Sequence, residues 1–308
     1  MHSKANTRWT GRRFRRSRFL SLYLWPAATL SIVALATYGW LVYRIMHPEV
    51  PAEARIPDPH LLPTQEIHWT SQDGTPASGW FIPGKGAAPL VVLCPGYGSN
   101  RTAVLNLAST LREAGYNLLV VALRGHGMSP AASTLGWKEA EDLNSGIAAV
   151  MEREKVDAVR VGVWGASSGA FAALRAAQQS GKIVAMALDA VYGNLEHFAG
   201  LKAQDLLGFN AGWLRRLIGY GLSWMLGVPE ADLRRDIPVQ GMSRVSSLFV
   251  YGLGDAGLDE ETRRLYTLAQ GQKHLIVVAS GRSAILTGNE VKNYDSKILE
   301  FFQTALPI

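Results

Sequence analysis

From Phe19 to Tyr43 the chain runs for 25 residues without Asp, Glu, Lys or Arg, and Leu, Ile, Val and Ala dominate. As a helix that run reaches about 37 Å, enough to cross a bilayer with some tilt. Pro26 falls early in it. Trp25, Tyr38, Trp40 and Tyr43 lie toward its ends, where amphipathic rings favour the membrane interface. Pro48–Pro63 is rich in Pro, Ala and charge and has no period, which predicts a linker. Short apolar runs then alternate with stretches of helical spacing. Glu66–Thr70 and Ser78–Pro83 flank Asp73-Gly74 and predict an antiparallel strand pair. Leu90–Cys94, Leu118–Leu123, Val161–Trp164, Ile183–Leu188, Leu248–Tyr251 and Leu275–Val278 are continuous apolar runs, as in strands buried on both faces. Thr102–Ala114, Trp137–Glu152, Phe171–Gln179 and Tyr294–Thr304 have the spacing of helices. The alternation predicts an α/β fold, a mostly parallel sheet of about eight strands with helices on both faces.

Charge sharpens the picture at one end only. The net charge is +6, yet residues 1–18 hold Lys4, Arg8, Arg12, Arg13, Arg15, Arg16 and Arg18 and no acid. Without those seven, 24 basic residues face 25 acidic ones. The body is nearly neutral, so nucleic-acid binding has no support. A basic tail before an apolar run predicts a cytoplasmic N-terminus and an extracytoplasmic main domain. The expected organisation is a basic tail (1–18), an anchor (19–45), a linker (46–64) and a main domain (65–308). A cleaved signal peptide is the competing reading, with Ala34-Leu35-Ala36 as a processing site, but the apolar run continues past it. The one cysteine, Cys94, falls in a strand pattern and reads as a small buried hydrophobe.

Candidate chemistry centres on Val161–Leu174, a strand, a sharp turn and a helix. It contains Gly165-x-Ser167-x-Gly169, the spelling of a nucleophile elbow. Strand and helix cross closely at such a turn and need small neighbours, which Gly165, Ala166, Gly169 and Ala170 supply. The turn lifts the Ser167 hydroxyl above the sheet edge, and the Ser168 N–H at the helix start is a natural oxyanion donor. The bland alternative is a small-residue helix start packed on a strand.

Four further stretches occur in order: Cys94-Pro95-Gly96-Tyr97-Gly98-Ser99-Asn100-Arg101, Ala122-Leu123-Arg124-Gly125-His126-Gly127-Met128-Ser129, Gly136-Trp137 with Asp142, and Tyr251-Gly252-Leu253-Gly254-Asp255. With them, the chain from about Gln65 to Thr304 resembles the α/β-hydrolase family, nearest its serine esterase, monoacylglycerol-lipase and peptidase-like branch. The resemblance implies Ser167 as nucleophile and the Tyr97 and Ser168 N–H groups as oxyanion hole. Asp255 becomes the orienting acid, with Asp189 in reserve. It implies a small acyl or lipophilic substrate (an ester, thioester or amide) and no cofactor or metal. No phosphate loop or dinucleotide fingerprint occurs.

The family places its general-base histidine after the last strand. Here that stretch reads Val278-Ala279-Ser280-Gly281-Arg282-Ser283-Ala284, with Arg282 at the histidine's place. A guanidinium stays protonated and cannot accept the serine proton. The expectation is an Arg282–Asp255 ion pair where the His–Asp pair sits in the family. His126 and His197 are the substitutes to weigh. His274 begins the preceding strand, far from the site, and His60 and His68 fall in the linker and first strand.

Residues 194–245 read as a cap. Trp213, Leu217, Tyr220 and Trp224 form one apolar helical face. Such a stripe most often packs on a core; a lipophilic acyl pocket or a face resting on a membrane is the functional alternative.

Overall fold

The computed structural model describes residues 13–52, 62–127, 129, 131–154, 156–252, 256–278 and 288–308. The chain divides into two compact units, Met1–Tyr43 and Arg44–Ile308. The first is occupied by most of helix α1 (Arg13–Met46), which continues through Pro26. The Thr29 and Ser31 hydroxyls bond back to the helix's own carbonyls of Trp25 and Ala27, each at 2.9 Å. Their polar atoms therefore ask little of the surroundings. Tyr23–Met46 has a mean hydropathy of 1.3 and is, among the described residues, the one helix long and apolar enough to cross a membrane.

The second unit follows the predicted alternation. In chain order it holds β1 (Gln65–Thr70), β2 (Pro76–Ile82), β3 (Pro89–Cys94), α2 (Leu105–Ala114), β4 (Asn117–Val121), α3 (Glu139–Arg153), β5 (Asp157–Ala166), α4 (Ser168–Gln179), β6 (Ile183–Asp189), α5 (Leu195–Leu207), α6 (Gly212–Leu226), α7 (Glu230–Arg234), β7 (Ser246–Gly252), α8 (Ala256–Leu268), β8 (Lys273–Val278) and α9 (Asn289–Ala305). The sheet order is β1-β2-β4-β3-β5-β6-β7-β8. β1 pairs antiparallel with β2, and β2 with β4; the other pairs are parallel. β3 and β4 are buried along their whole length. On one face Val91, Leu93, Leu118 and Val120 meet Leu107 and Leu111 of α2 and Ile298 and Phe302 of α9; α3 and α4 pack side by side, and α4 lies against β5 and β6.

The strand order places the site. After β3 the chain turns to β4 on one side, and after β5 it turns to β6 on the other. The loops that follow β3 and β5 therefore diverge and leave a crevice at the carboxyl ends of these two strands, where open α/β sheets bind ligands. Cys94 and Gly165 are paired there, so Gly96-Tyr97 and Ser167 flank the crevice from either side.

One polar clamp ties this edge together. Arg124, in the loop after β4, is buried and binds Asp142 of α3 through Nε and Nη2, both at 2.6 Å. It also binds Asp73, in the β1–β2 turn, at 2.7 and 2.9 Å. Hydrogen bonds from Arg124 hold the Asp73 carboxyl well below the usual carboxylate range. Asp142 is 1% exposed. Two parts of the sequence reading change. The predicted helix Thr102–Ala114 begins with a 3-10 turn over Arg101–Val104, capped by the Asn100 side chain, before α2 proper. The start of the expected linker is bonded to the domain: Met46 O accepts from Ser133 N–H at 2.9 Å, and Pro51 O accepts from Asn100 Nδ2 at 2.9 Å.

Replacing Arg124 by Met is expected to leave Asp142 as an uncompensated buried charge and to destabilise the fold by about 3–5 kcal/mol, read as a lower urea midpoint of the detergent-solubilised chain. Because the Asp73 pKa is depressed, its stabilising contribution is full above the ordinary Asp value of about 4 and is lost as pH falls below it. Asp73→Asn is expected to flatten stability against pH in that acid range.

Candidate active site

Ser167 sits between β5 and α4 with φ 50° and ψ −115°, a conformation that non-glycine residues adopt only when the surroundings impose it. The surroundings here are close backbones. A Cβ on Gly165 would lie 2.5 Å from Gly169 O, and one on Gly169 would lie 2.4 Å from Cys94 O and 2.6 Å from Pro95 O. Only glycine permits this crossing of strand, helix and the loop after β3. Two hydrogen bonds lock the turn: Ser167 N–H donates to Asp189 O at 2.8 Å, and Phe171 N–H to Ser167 O at 3.0 Å. Ser167 is 0% exposed, and its Oγ has no hydrogen-bond partner among the described residues. Ser71 and Ser168 also carry buried hydroxyls without a partner among the described residues, so what sets Ser167 apart is the open hydroxyl together with the strained turn. The N-terminus of α4 points its partial positive charge at this position.

Across the crevice, the loop after β3 approaches the elbow closely: a Cβ on Gly96 would lie 3.4 Å from Ala166 O. Tyr97 follows. Its hydroxyl donates to Ile45 O at 2.8 Å, and its ring meets Phe198 edge-on at 5.4 Å and His126 at 6.0 Å. Phe198 stacks on Tyr192 at 4.1 Å, and Tyr192 on Phe171 of α4 at 5.0 Å. Four rings thus run from α4, the helix that follows Ser167, through α5 to the loop after β3. Each aromatic contact of this kind contributes about 0.5–1.5 kcal/mol beyond area burial. The N–H groups of Tyr97 and Ser168 carry no backbone hydrogen bond among the described residues, leaving two donors on the crevice walls.

His126 is a brace. Its Nδ1 lies 2.7 Å from Arg124 O, and its Nε2 accepts from Gly98 N–H at 3.0 Å. These partners require the neutral ring with its proton on Nδ1, and burial lowers its pKa below the ordinary 6.5. Both nitrogens are committed to shaping the loop, so neither is left to take a proton from Ser167. His197 turns toward α6, lining a cavity with Leu214 and Arg215, while its neighbour Phe198 faces Tyr97. His274 lies near the start of β8 against Phe301, at the opposite end of the parallel strands from Ser167. His68 is exposed on β1. His60 lies outside the described residues.

Asp255 and Arg282 also lie outside the described residues. The strands that lead to them, β7 and β8, run parallel to β6 and end at the same sheet edge as β5. Asp189, the reserve acid, is under the turn. Its carboxylate accepts from the Tyr294 hydroxyl at 2.7 Å, and that hydroxyl accepts from Trp164 Nε1 at 2.9 Å. This buried chain joins β5, β6 and α9 beneath Ser167. Tyr294 gave no sequence signal, being 105 positions away from its partner. Lys202 was also missed. It is buried on α5, its Nζ 5.9 Å from the Tyr97 ring centre, and it pairs with Asp205 at 2.6 Å.

The profile of the alpha/beta hydrolase fold matches residues 89–242. The chain belongs to the α/β-hydrolase family. It is 26% identical over 233 residues to the uncharacterised protein YfhR of Escherichia coli O157:H7, covering 73% of this chain and 74% of that one. It is 27% identical over 128 residues to the polyketide transferase grgF of Penicillium sp, covering 40% of this chain and 44% of that one. Among solved structures, the Pyrococcus furiosus esterase Pf2001 superposes with a TM-score of 0.62 at 22% identity, covering 84% of this chain and 98% of the esterase. The α/β hydrolase GrgF from Penicillium sp. sh18 gives 0.63 at 19% identity, over 80% of this chain and 100% of that one.

A strained turn predicts a stability gain on relief. Ser167→Gly is expected to stabilise this hydrolase-fold chain by about 1 kcal/mol, whereas Gly169→Ala is expected to destabilise it; thermal unfolding of both variants checks the signs. For His126 the pKa is depressed in the fold, so the unfolded chain takes up the proton first. Stability is therefore full above pH 6.5 and is lost as pH falls through that value toward the lower folded one. His126→Gln, which takes no proton, is expected to remove that part of the pH dependence.

Proposed function

We propose that this chain is a membrane-anchored serine hydrolase that transfers the acyl group of a small ester, thioester or amide to water. Ser167 Oγ is the nucleophile; as it bonds to the carbonyl carbon, its proton passes to a base other than His126 and on to the departing alcohol, thiol or amine, and water then releases the acyl group from Ser167. The carbonyl oxygen of the substrate becomes an oxyanion held by the Tyr97 and Ser168 N–H groups, a contact worth most in a water-excluded site. Asp255, following β7, is the acid. The N-terminal apolar helix is the anchor, and the seven cations before it favour a cytoplasmic N-terminus with the domain outside. The observation that carries the reading is Ser167 itself: a non-glycine residue forced to φ 50° with a buried, unpartnered hydroxyl among the described residues.

A second reading is favoured by a specific fact. No histidine follows His274 in the chain, and His126 is engaged at both nitrogens. In that reading the chain is a catalytically impaired relative that binds an acyl or apolar ligand, or a partner protein, with Arg282 and Asp255 as an ion pair keeping the shape of the site. Loss of the base histidine from a serine triad lowers kcat by about 10⁶ while binding and oxyanion hole keep about 10³ over water.

A fluorophosphonate probe separates the two. The hydrolase reading expects labelling that Ser167→Ala abolishes; absence of labelling at high probe concentration favours the binder. Arg282→His is expected to raise hydrolysis of a p-nitrophenyl ester by at least about tenfold, a gain that Asp255→Ala removes. No gain in a folded variant speaks against Arg282 occupying the base position.

A further inference from the structure

The outer face of α6 does not pack on the sheet, as apolar helical stripes most often do. Ile218, Leu222 and Leu226 are buried and hold the helix to the domain. Trp213, Leu217, Tyr220 and Trp224, on the opposite side, are 65%, 43%, 55% and 85% exposed. Leu206, near the end of α5, and Phe209, in the α5–α6 turn, are exposed as well. At 150–250 Å² per aromatic side chain the bare surface is on the order of 500 Å², at the upper end of what a monomer leaves uncovered.

We infer that this face is a membrane-docking surface, seated in the headgroup region of an anionic phospholipid bilayer. Three observations select that occupant. The exposed aromatics are Trp and Tyr, whose apolar ring and polar tip suit an interface that is greasy on one side and wet on the other. From Leu206 to Val228 there is no Asp or Glu, and the two charges are Arg215 and Arg216. Arg216 is exposed beside the stripe, and Arg215 reaches back to Glu196 at 3.5 Å. On α6 itself the stripe is flanked only by cations, and Asp205 beside Leu206 is paired with Lys202; that balance complements an anionic lipid surface. Finally, Tyr97 bridges Ile45 O to Phe198 of α5. α5 is thus built beside the first residues of the second unit, which in sequence are the last residues of α1. This last step rests on the membrane reading above. The surface gives the site a lipid-facing cap and points to substrates that partition into the bilayer.

The test uses the full chain in proteoliposomes. Trp224→Cys is labelled with an environment-sensitive fluorophore; the sole native thiol, Cys94, is buried and stays unlabelled. Gly181→Cys, exposed with open space around it, is the control at the far end of β6. In vesicles of phosphatidylcholine with phosphatidylglycerol, the label at 224 is expected to shift to the blue. Doxyl-labelled lipid is expected to quench it at least roughly twofold more than the label at 181. Neutral phosphatidylcholine vesicles are expected to weaken this, by about fivefold for each arginine engaged. Trp213→Ser with Tyr220→Ser is expected to return the label to a water-like spectrum.

A solvent-like label at 224 in a chain that resists carbonate extraction overturns the docking face while leaving the anchor standing. Lipid quenching at 224 in a chain that carbonate extracts supports the face and refutes the anchor. A label shielded from iodide yet insensitive to doxyl lipid, with crosslinks between copies, overturns the proposal in favour of self-association.

Discussion

The crossing of β5 and α4 under the loop after β3 is the constraint on which the candidate site depends. Three backbones meet within contact distances that exclude a Cβ at Gly165 and Gly169. The residue between them is forced to a positive φ that costs of order 1–3 kcal/mol for a residue with a side chain. Serine occupies that position, and the fold holds it there with the Asp189 carbonyl, the Phe171 amide and the buried Trp164–Tyr294–Asp189 chain. Strain of this size persists only when many contacts over-determine it, and here they come from β6, α4 and α9 at once.

The facing wall is braced as heavily. His126 accepts from the loop after β3 and is itself held by Arg124, which clamps Asp142 and Asp73. The rings of Tyr97, Phe198, Tyr192 and Phe171 link that loop through α5 to α4, the helix that follows Ser167. Oxyanion donors are worth most when they need no reorganisation at the moment of reaction. A loop fixed by an imidazole, a half-buried hydroxyl–carbonyl bond and edge-on aromatic contacts satisfies that requirement. The same bracing serves a rigid binding pocket, so it does not separate the two functional readings; the chemistry at the base position does.

The sheet was legible because its inner strands, such as β3, β4, β6 and β7, are buried on both faces and appear as unbroken runs such as Leu90–Cys94 and Ile183–Leu188; the run Leu275–Val278 has the same spelling, yet on the edge strand β8 Leu275 and Val277 are exposed. The elbow was legible because its steric demand has a spelling, with glycines two residues either side of Ser167. What escaped were relations between distant positions. Nothing near Asp189 announces Tyr294, and nothing near Tyr97 announces Ile45, whose contribution is a backbone carbonyl. The stripe on α6 was visible in the periodicity, but a helical period says which residues share a face and is silent on whether that face meets core or solvent. Pro48–Pro63 read as a free spacer from its composition, yet carbonyls such as Pro51 O are bonding partners whatever the side chain.

A site so built around one hydroxyl, in a chain without a histidine after the last strand, should acylate more readily than it deacylates. The most direct test is mass spectrometry of the full chain after incubation with an activated acyl ester, followed by peptide mapping. The account predicts one added acyl group, carried by the peptide containing Ser167 and absent from Ser167→Ala. An unmodified chain, or an adduct on any other residue that survives Ser167→Ala, would contradict it.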